Sequence, residues 1–377
     1  KRTIILMMAD KKICYSVFVE DKPYLLWQLE LFLYSLTKRA KIDPKDIFLF
    51  WSSPDYYSEP TRPDYEAHVP SEWLTGIIQA YPTMHHRYSQ NFGRQNRTFR
   101  FMGKGNWHGK PYAGLNKWSA WIEWANADCF KDWEEVWILE QDLWFSGKIP
   151  KVPDGNVVSY NWIPQRKTAF KKTHADDQVD EFQKAREFKK NGFKGQNLED
   201  IMRLTGMNKK KIAKWEQGAV LFKFNVADLK PKLLNDIMNY NYLLIHLMEI
   251  KHPLGMRHET DMIAPSLAIA NSNLDIVSLR DDKLRTDTWT HDAEIPQDTI
   301  VHYGWDFKNY AHLNAKFGKH EYGDLAPWQE KRHDILKFSK EAKYEWTQNF
   351  FKDMLNIHLD FPNILRRCTK KNHELRV

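Results

Sequence analysis

An acidic triplet at the end of an apolar segment is the feature of the sequence best suited to chemistry. Glu140, Gln141 and Asp142 follow residues 135–139 (EVWIL), which are predicted to form a strand. Parallel sheets bind ligands at the carboxyl ends of their strands, where Mn²⁺ and Mg²⁺ use carboxylate oxygens and bridge them to phosphates. The triplet therefore predicts a divalent-metal site, although acidic pairs after strands also occur as helix caps or solvated turns.

A second candidate lies far along the chain, between residues 300 and 308. His302 stands in an apolar segment that is predicted to be a strand, and Lys308 follows six positions later. An imidazole can complete a metal shell, and a lysine ammonium can bind a diphosphate as a point charge. A single histidine on a strand is often only a core residue, but the two segments support each other. Together they predict a site for a divalent ion and a diphosphate.

The elements that must position these residues alternate between strands and helices. Residues 12–20 are predicted to be a buried strand, 24–39 an amphipathic helix and 46–51 a second strand. This order implies a parallel βαβ unit. Further strands are predicted at residues 135–139, 156–160 and 219–224, further helices at 71–80, 115–128, 229–250, 261–270 and in the tail from 328 to 375, and a loop over the site at 88–109. The interpretation is an α/β fold.

Several segments match, in the same order over residues 12–310, the motifs of one known enzyme group. Residues 17–20 and 27–28 are similar to its first strand and following helix, and residues 112–117 (YAGLNK) resemble its P-A-x-N-K-P segment. Residues 140–142 stand where its D-x-D motif lies, and residues 302–304 match its H-Y-G element. Through these motifs the chain resembles the hydroxyproline O-arabinosyltransferases and peptidyl serine galactosyltransferases, a group of GT-A glycosyltransferases. Two departures are the glutamate at position 140 and the absence of proline after Lys117.

This resemblance implies a GT-A fold, which is a Rossmann-like mixed sheet flanked by helices. The implied catalytic domain covers residues 1–310 and carries a basic helical insertion at 164–214. A helical extension at residues 311–377 is expected to pack on it. The implied activity is transfer of a sugar from a UDP-sugar donor, with Mn²⁺ or Mg²⁺ as the cofactor.

Site residues follow from the same resemblance. Asp142 and His302 would ligate the metal, and Glu140 would support them. Lys117 and Lys308 would contact the donor phosphates. The end of the first strand, at Val19, Glu20 and Asp21, would hold the nucleotide base and ribose. Apart from the resemblance, Gln141 is expected to bind the donor, and Gly218 would let the backbone approach the sugar.

The acceptor hydroxyl needs a base in an inverting enzyme, or a carboxylate near the anomeric carbon in a retaining one. Glu259 and Asp261, at the start of a predicted helix, are candidates for this catalytic role, and Glu216 is a third. For the first two, the alternative is a helix cap, and for Glu216 it is an ordinary turn before a strand.

The insertion gives the clue to the acceptor, because residues 198–215 have helix-turn-helix spacing around Gly206. The second helix of such a motif enters the major groove of DNA, so the lysines predicted to bind DNA are Lys209, Lys210, Lys211 and Lys214. A helical hairpin that merely packs on the fold is the alternative interpretation.

Composition favours the same partner. The chain of 377 residues has a net charge of +7, a pI near 9.0 from its sequence and three widely spaced cysteines. It has no apolar stretch of 18 residues and no leader pattern, so we expect a protein of a reducing cytoplasm, that of the host if a phage encodes it, with no membrane partner. Sixteen tryptophans exceed the needs of a core, and some are expected to form stacking surfaces for sugars or bases.

Two acceptors therefore remain open. The first is DNA with a hydroxylated base such as 5-hydroxymethylcytosine, decorated with a pentose such as arabinose, as in DNA-decorating enzymes of phages. The second is a hydroxylated peptide, modified on hydroxyproline or serine. A third hypothesis, a non-catalytic DNA-binding protein on a decayed fold, predicts loss of the metal residues, which are present. The sequence predicts no oligomeric state.

Overall fold

The computed structural model describes residues 12–20, 23–54, 81–88, 114–126, 132–159, 206–208, 211, 221–251, 260–279, 283–284, 286–287, 293–303, 317–319, 322 and 326–360. These residues form an α/β architecture in which a mixed, mostly parallel sheet is covered by helices on both faces. The predicted fold class is confirmed at this level.

The chain opens with the predicted βαβ unit. Strand β1 (Ile13–Glu20) leads into helix α1 (Pro23–Tyr34), which ends in a π turn at Ser35–Arg39. Proline suits the first position of α1 because its fixed φ matches the helix and no amide hydrogen is needed there. After a short 3₁₀ turn (Pro44–Asp46), strand β2 (Ile47–Pro54) pairs parallel to β1. Strand β3 (Thr83–Tyr88), which the sequence analysis did not predict, pairs parallel to β2.

The main sheet then extends on the other side of β1. Its later strands are β4 (Glu135–Leu139), β6 (Asn156–Ser159), β7 (Phe222–Asn225) and β8 (Ile276–Leu279). Within the described residues the order is β3-β2-β1-β4-β7-β6-β8, and only β7 runs antiparallel to its neighbours. Because β1 lies between β2 and β4, the chain order reverses there. The carboxyl ends of β1 and β4 therefore form a topological switch point, where open α/β sheets bind ligands.

A small second sheet lies beside this edge. It contains β5 (Leu143–Phe145), β9 (Thr286–Asp287) and β10 (Ile300–His302). Strand β10 pairs antiparallel to β5 and parallel to β9. Since β5 begins directly after Asp142, this sheet connects the acidic triplet to the segment that carries His302.

Two hydrophobic cores cover the two faces of the main sheet. Side chains on β1 and β4 alternate, so that Val17 and Leu139 enter one core while Cys14 and Ile138 enter the other. The first core contains α1 together with α5 (Pro327–Glu330), α6 (Arg332–Glu341) and α7 (Glu345–Asp360). The second contains α2 (Gly114–Asn126), α3 (Pro231–Lys251) and α4 (Thr260–Asn271). Burial on both faces explains the continuous apolar runs of β1 and β4.

The described tryptophans are mostly core residues. Nine of them are buried: Trp27, Trp51, Trp118, Trp121, Trp124, Trp137, Trp144, Trp328 and Trp346. Their rings pack against other aromatic and aliphatic side chains inside the molecule, so these nine are core residues, and the expectation that some tryptophans form stacking surfaces concerns the others.

Some sequence predictions fall outside the described residues. These are the helix at 71–80, nearly all of the loop at 88–109, and the insertion at 164–214 apart from 206–208 and 211. The described part of the extension at 311–377 is mostly helical, with three helices between residues 327 and 360, and it shares the first core with β1 and α1. In the described portion of the chain, no helix is both long and apolar enough to cross a membrane.

Candidate metal centre

A tight turn after β4 presents the acidic triplet. The Leu143 amide donates a hydrogen bond to the Glu140 carbonyl over 3.3 Å, and β5 starts immediately afterwards. On the neighbouring strand β10, His302 pairs in register with Leu143, and the Tyr303 amide donates to the Asp142 carbonyl over 3.1 Å. The pairing of β5 with β10 thus brings His302 beside Asp142, although 160 positions separate them in sequence.

The three predicted ligands converge. Glu140, Asp142 and His302 each offer one ligand atom, and these atoms all lie within 4.8 Å of one another. The His302 Nε2 atom lies 3.2 Å from Asp142 Oδ2, and both side chains are buried. This part of the predicted site is therefore a cluster that could hold a metal ion.

The environment of Asp142 fits a cation. Its Oδ1 atom is buried and has no hydrogen-bond partner among the residues that the structure describes. A buried carboxylate oxygen without a partner is costly, so such an atom points to a missing ligand. Two carboxylates and an imidazole suit Mn²⁺ or Mg²⁺, which take oxygen ligands at carboxylate-rich sites.

The other carboxylate oxygen of Asp142 pairs with a lysine that was not predicted from the sequence. The Lys319 Nζ atom lies 2.5 Å from Asp142 Oδ2, and the residue is only 9% exposed. Burial by itself would raise the pKa of Asp142, but Lys319 and then His302 outweigh it and hold that pKa well below its usual range. Burial likewise opposes the charge on Lys319, yet the Asp142 carboxylate raises its pKa. Both groups are therefore charged at neutral pH.

A second lysine pairs with the other carboxylate. The Lys117 Nζ atom, from the first turn of α2, lies 3.0 Å from Glu140 Oε1 and 5.5 Å from the centre of the Trp118 ring. Lys117 was predicted to contact donor phosphates, and the structure places its ammonium beside Glu140, in the candidate metal centre. Each carboxylate of the centre thus carries one lysine ammonium.

Two tyrosines, Tyr24 and Tyr303, lie near Asp142 in the candidate metal centre. Tyr24 stands in the first turn of α1, where burial and the Asp142 charge raise its pKa while Lys319 and Gln28 oppose the rise. The Tyr303 hydroxyl lies 3.3 Å from the Gln141 carbonyl, to which it donates, and burial followed by the Asp142 charge raises the pKa of Tyr303 well above its usual value. It therefore stays protonated and supports the turn that carries Asp142.

The remaining donor residues have separate outcomes. Val19 and Glu20 are buried at the carboxyl end of β1, and Gln141 lies in the turn between the two carboxylates. The other predicted donor residues lie outside the described part of the chain: Asp21, Gly218 and Lys308.

Of the predicted catalytic carboxylates, Asp261 lies at the second position of α4. Glu216 and Glu259 are outside the described residues, so their proximity to the metal centre stays a prediction.

The predicted DNA-binding lysines are described at one position. Lys211 donates to the Asn271 carbonyl over 2.7 Å and lies 3.1 Å from Asn271 Oδ1, so its ammonium is engaged at the end of α4. Lys209, Lys210 and Lys214 lie outside the described residues.

Lys319 and Tyr24 are the site residues that sequence reasoning missed. Lys319 lies 177 positions from Asp142 and belongs to no motif, so only the packing of the C-terminal segment brings it to the centre. Tyr24 had a local signal, since it follows the first strand at the switch point.

Comparison with known proteins adds no family to this geometry. No protein-family model matches the chain, and no curated protein shows significant similarity to it.

Proposed function

We propose that this chain is a metal-dependent glycosyltransferase of the GT-A type, which transfers a sugar from a UDP-sugar to a hydroxyl group. The observation that carries the proposal is the buried Oδ1 atom of Asp142, which has no hydrogen-bond partner in the described part of the chain and belongs to the cluster with Glu140 and His302. The cluster lies at the sheet's switch point, a place where α/β sheets bind nucleotides and where a carboxylate-rich centre can meet a diphosphate.

The residues of the centre suit a leaving group that is a nucleoside diphosphate. Glu140, Asp142 and His302 would hold the ion, which supplies charge to stabilise the diphosphate as it departs. Lys117 can exchange Glu140 for a donor phosphate, because its ammonium is already at the centre. Tyr303 fixes the turn from within the core by donating to the Gln141 carbonyl.

The acceptor hydroxyl would be activated by a carboxylate. Asp261 is the described candidate, because it stands in the first turn of α4, and Glu259 precedes it by two positions. Glu216 is the third candidate. In an inverting reaction one of these groups removes the acceptor proton, and in a retaining one it stabilises positive charge at the anomeric carbon.

For the acceptor we propose DNA with a hydroxylated base, and for the sugar a pentose such as arabinose. The net charge of +7 and the lysines of the insertion support a polyanionic partner. A base in a duplex would be flipped out to reach the sugar. Hydroxylated peptide is the alternative acceptor.

The test offers both acceptors to the same protein. The chain is incubated with Mn²⁺, a panel of UDP-sugars, and DNA that contains either cytosine or 5-hydroxymethylcytosine. The digested nucleosides are then weighed by mass spectrometry. Parallel reactions offer peptides that contain hydroxyproline or serine, and an Asp142→Asn protein serves as the control.

A pentose or hexose mass gain on the modified base alone would support the DNA acceptor and identify the sugar class. A gain on peptide alone would retain the transferase and move the acceptor to peptide. No transfer to any acceptor, together with no Mn²⁺-dependent binding of UDP, would contradict the proposed function.

A further inference from the structure

In the candidate metal centre, the ammonium groups of two lysines contact the carboxylates that are proposed to bind the ion. Lys319 contacts Asp142 Oδ2 at 2.5 Å, and Lys117 contacts Glu140 Oε1 at 3.0 Å. Both lysines are buried, at 9% and 5% exposure. The two carboxylates of the centre are thus balanced by two buried ammonium groups that belong to the protein itself.

Lys319 and the predicted metal ligand His302 contact the same oxygen atom of Asp142. Asp142 Oδ2 lies 2.5 Å from Lys319 Nζ and 3.2 Å from His302 Nε2. An ion held by His302 and by Asp142 Oδ1, which has no partner among the described residues, would still lie close to this ammonium on the same carboxylate. Two like charges in a buried site repel strongly. An ion and the ammonium therefore compete for Asp142 unless a further anion enters.

The donor would bring that anion. A diphosphate carries at least two negative charges and accepts hydrogen bonds from ammonium groups. Once the diphosphate is bound, it can accept hydrogen bonds from the Lys319 ammonium while the Asp142 carboxylate binds the ion. The number of unpaired buried charges then stays low throughout the exchange, which is the condition for burying charges at tolerable cost.

We propose that Lys319 is the built-in counter-ion of this centre, which a divalent ion displaces from Asp142 and which then binds the diphosphate of the donor. The inference rests on the proposed function, because it assumes the metal centre and a diphosphate ligand. Lys319 makes binding of the ion and binding of the diphosphate mutually dependent, so the ion alone binds weakly and the pair binds tightly.

The first experiment uses the unaltered protein. Mn²⁺ is titrated by isothermal titration calorimetry alone, with UDP, with inorganic pyrophosphate and with uridine. We expect UDP and pyrophosphate to tighten Mn²⁺ binding by about 5- to 150-fold, the usual range of coupling between two sites, and uridine to leave it unchanged. Equal Mn²⁺ affinity in all four titrations would overturn the inference.

The second experiment removes the ammonium in Lys319→Met. Mn²⁺ alone should then bind at least about fivefold more tightly than to the unaltered protein, and the tightening by UDP should fall to about twofold or less. The matched control is Lys223→Met, because Lys223 is also buried and paired with a carboxylate, 3.3 Å from Glu135 at the opposite end of β4. That variant should keep the coupling of the unaltered protein.

The outcomes separate the inference from the proposed function. Unchanged Mn²⁺ affinity in Lys319→Met, with normal sugar transfer by the unaltered protein, overturns the role of Lys319 and leaves the transferase standing. Absence of Mn²⁺ binding under every condition overturns both. If Lys319→Met does not fold, Lys319→Gln is titrated in its place, because glutamine keeps a hydrogen-bond donor beside Asp142 but carries no charge.

Discussion

Asp142 has two oxygen atoms in very different surroundings. Oδ2 is shared by Lys319 and His302, whereas Oδ1 is buried and has no partner among the described residues. Burying a carboxylate is costly unless its charge and its hydrogen-bonding capacity are satisfied. Asp142 is such a half-satisfied carboxylate at the switch point of the sheet, and this is what the proposed role as a metal ligand requires.

At this scale the first prediction concerns Asp142→Asn. Asparagine keeps the shape of the side chain but loses its charge, so Mn²⁺ binding and sugar transfer should both fall below detection. Lys319 also loses its partner, and breaking a buried ion pair costs about 3–5 kcal/mol of stability. Calorimetric Mn²⁺ titration and urea unfolding measure the two effects.

The matched control is Asp236→Asn, which alters a partly exposed carboxylate that pairs with Lys232 on α3. It should leave Mn²⁺ binding unchanged. Mn²⁺ affinity at the level of the unaltered protein in Asp142→Asn would remove Asp142 from the ligand set.

The second prediction concerns pH. The pKa of Asp142 in the folded protein lies well below its usual value, so the folded state favours the ionised carboxylate. Its contribution to stability is complete above the unfolded pKa of about 3.9 and is lost as the pH falls through the lower folded pKa. The difference in unfolding free energy between the unaltered protein and Asp142→Asn should therefore be constant from about pH 5 to 7 and shrink below about pH 4.

Urea unfolding of both proteins at about pH 6 and about pH 3 measures this difference. The comparison cancels the titration of the other carboxylates, which the two proteins share. A difference that is equal at the two pH values would contradict the depressed pKa.

At the scale of elements, one ion pair connects helix α7 to strand β5, which follows the turn that carries Asp142. Asp353, on α7, accepts hydrogen bonds from Arg39 at the end of the π turn and from Trp144 Nε1, on β5, over 2.8 Å. The Arg39 guanidinium also lies 5.1 Å from the centre of the Trp144 ring. These contacts hold α1, α7 and β5 in one arrangement, and β5 begins one residue after Asp142.

The third prediction follows from this pair. Arg39→Met leaves the buried Asp353 carboxylate without its charged partner. We expect the free energy of unfolding to fall by about 2–4 kcal/mol. This value is low for a buried ion pair because the Arg39 side chain is 23% exposed. Mn²⁺ affinity should fall severalfold as well, because β5 loses part of its support. Urea unfolding and Mn²⁺ titration measure the two effects.

Lys45→Met is the control for this change, because Lys45 forms an exposed pair with Asp43. It should alter neither stability nor Mn²⁺ binding measurably. If Arg39→Met were as stable as Lys45→Met, the pair would not hold the elements together.

At the scale of the whole molecule, the C-terminal segment is part of the first core. Phe317, Trp328 and Phe350 lie in the same cluster as Val17 of β1 and Trp27 of α1. Lys319 of this segment contacts Asp142 directly. The sequence analysis divided the chain at residue 310 and expected the later residues to pack on the catalytic domain. In the described residues they share a core with α1 and β1, and Lys319 reaches Asp142.

The fourth prediction is therefore that residues 1–310 do not fold by themselves. Removal of 311–377 exposes the apolar surface of α1 and β1 to water and also removes Lys319. Circular dichroism and thermal unfolding of the shortened chain should show no cooperative transition. A cooperative transition with Mn²⁺ binding would support the division at residue 310 instead.

The fifth prediction concerns the proposed DNA surface. Replacing Lys209, Lys210 and Lys214 with alanine should weaken DNA binding and flatten its salt dependence, by about 0.9 in the slope of log K against log salt for each phosphate that the protein no longer neutralises. Lys211→Ala is the comparison, because its ammonium binds Asn271 within the protein and so should change this slope little. Fluorescence anisotropy at several salt concentrations measures the slope. An unchanged slope in the triple variant would remove the groove-binding hypothesis and leave the transferase untouched.

Local patterns in the sequence were enough for much of the fold. The apolar runs of β1, β2 and β4 and the helical spacing of α1 and α3 predicted their elements and the parallel βαβ unit. Strand β3 was missed because its residues, Thr83–Tyr88, are largely polar or aromatic and show no clear alternation. Among the described strands β3 stands at the end of the sheet, and a short, largely polar segment gives only a weak side-chain signal for a strand.

The sequence by itself determined the chemical identity of the proposed centre, since the motif after β4 and the histidine on β10 indicated which side chains could ligate an ion. Only the tertiary structure decided that they meet, through the pairing of β5 with β10. Only the tertiary structure showed that Lys319 and His302 contact the same oxygen atom of Asp142 and that nine of the described tryptophans lie in the cores. The physical reason is that a motif consists of residues that are close together along the chain, so their spacing is visible in the sequence. A contact across 177 positions depends instead on how distant elements pack.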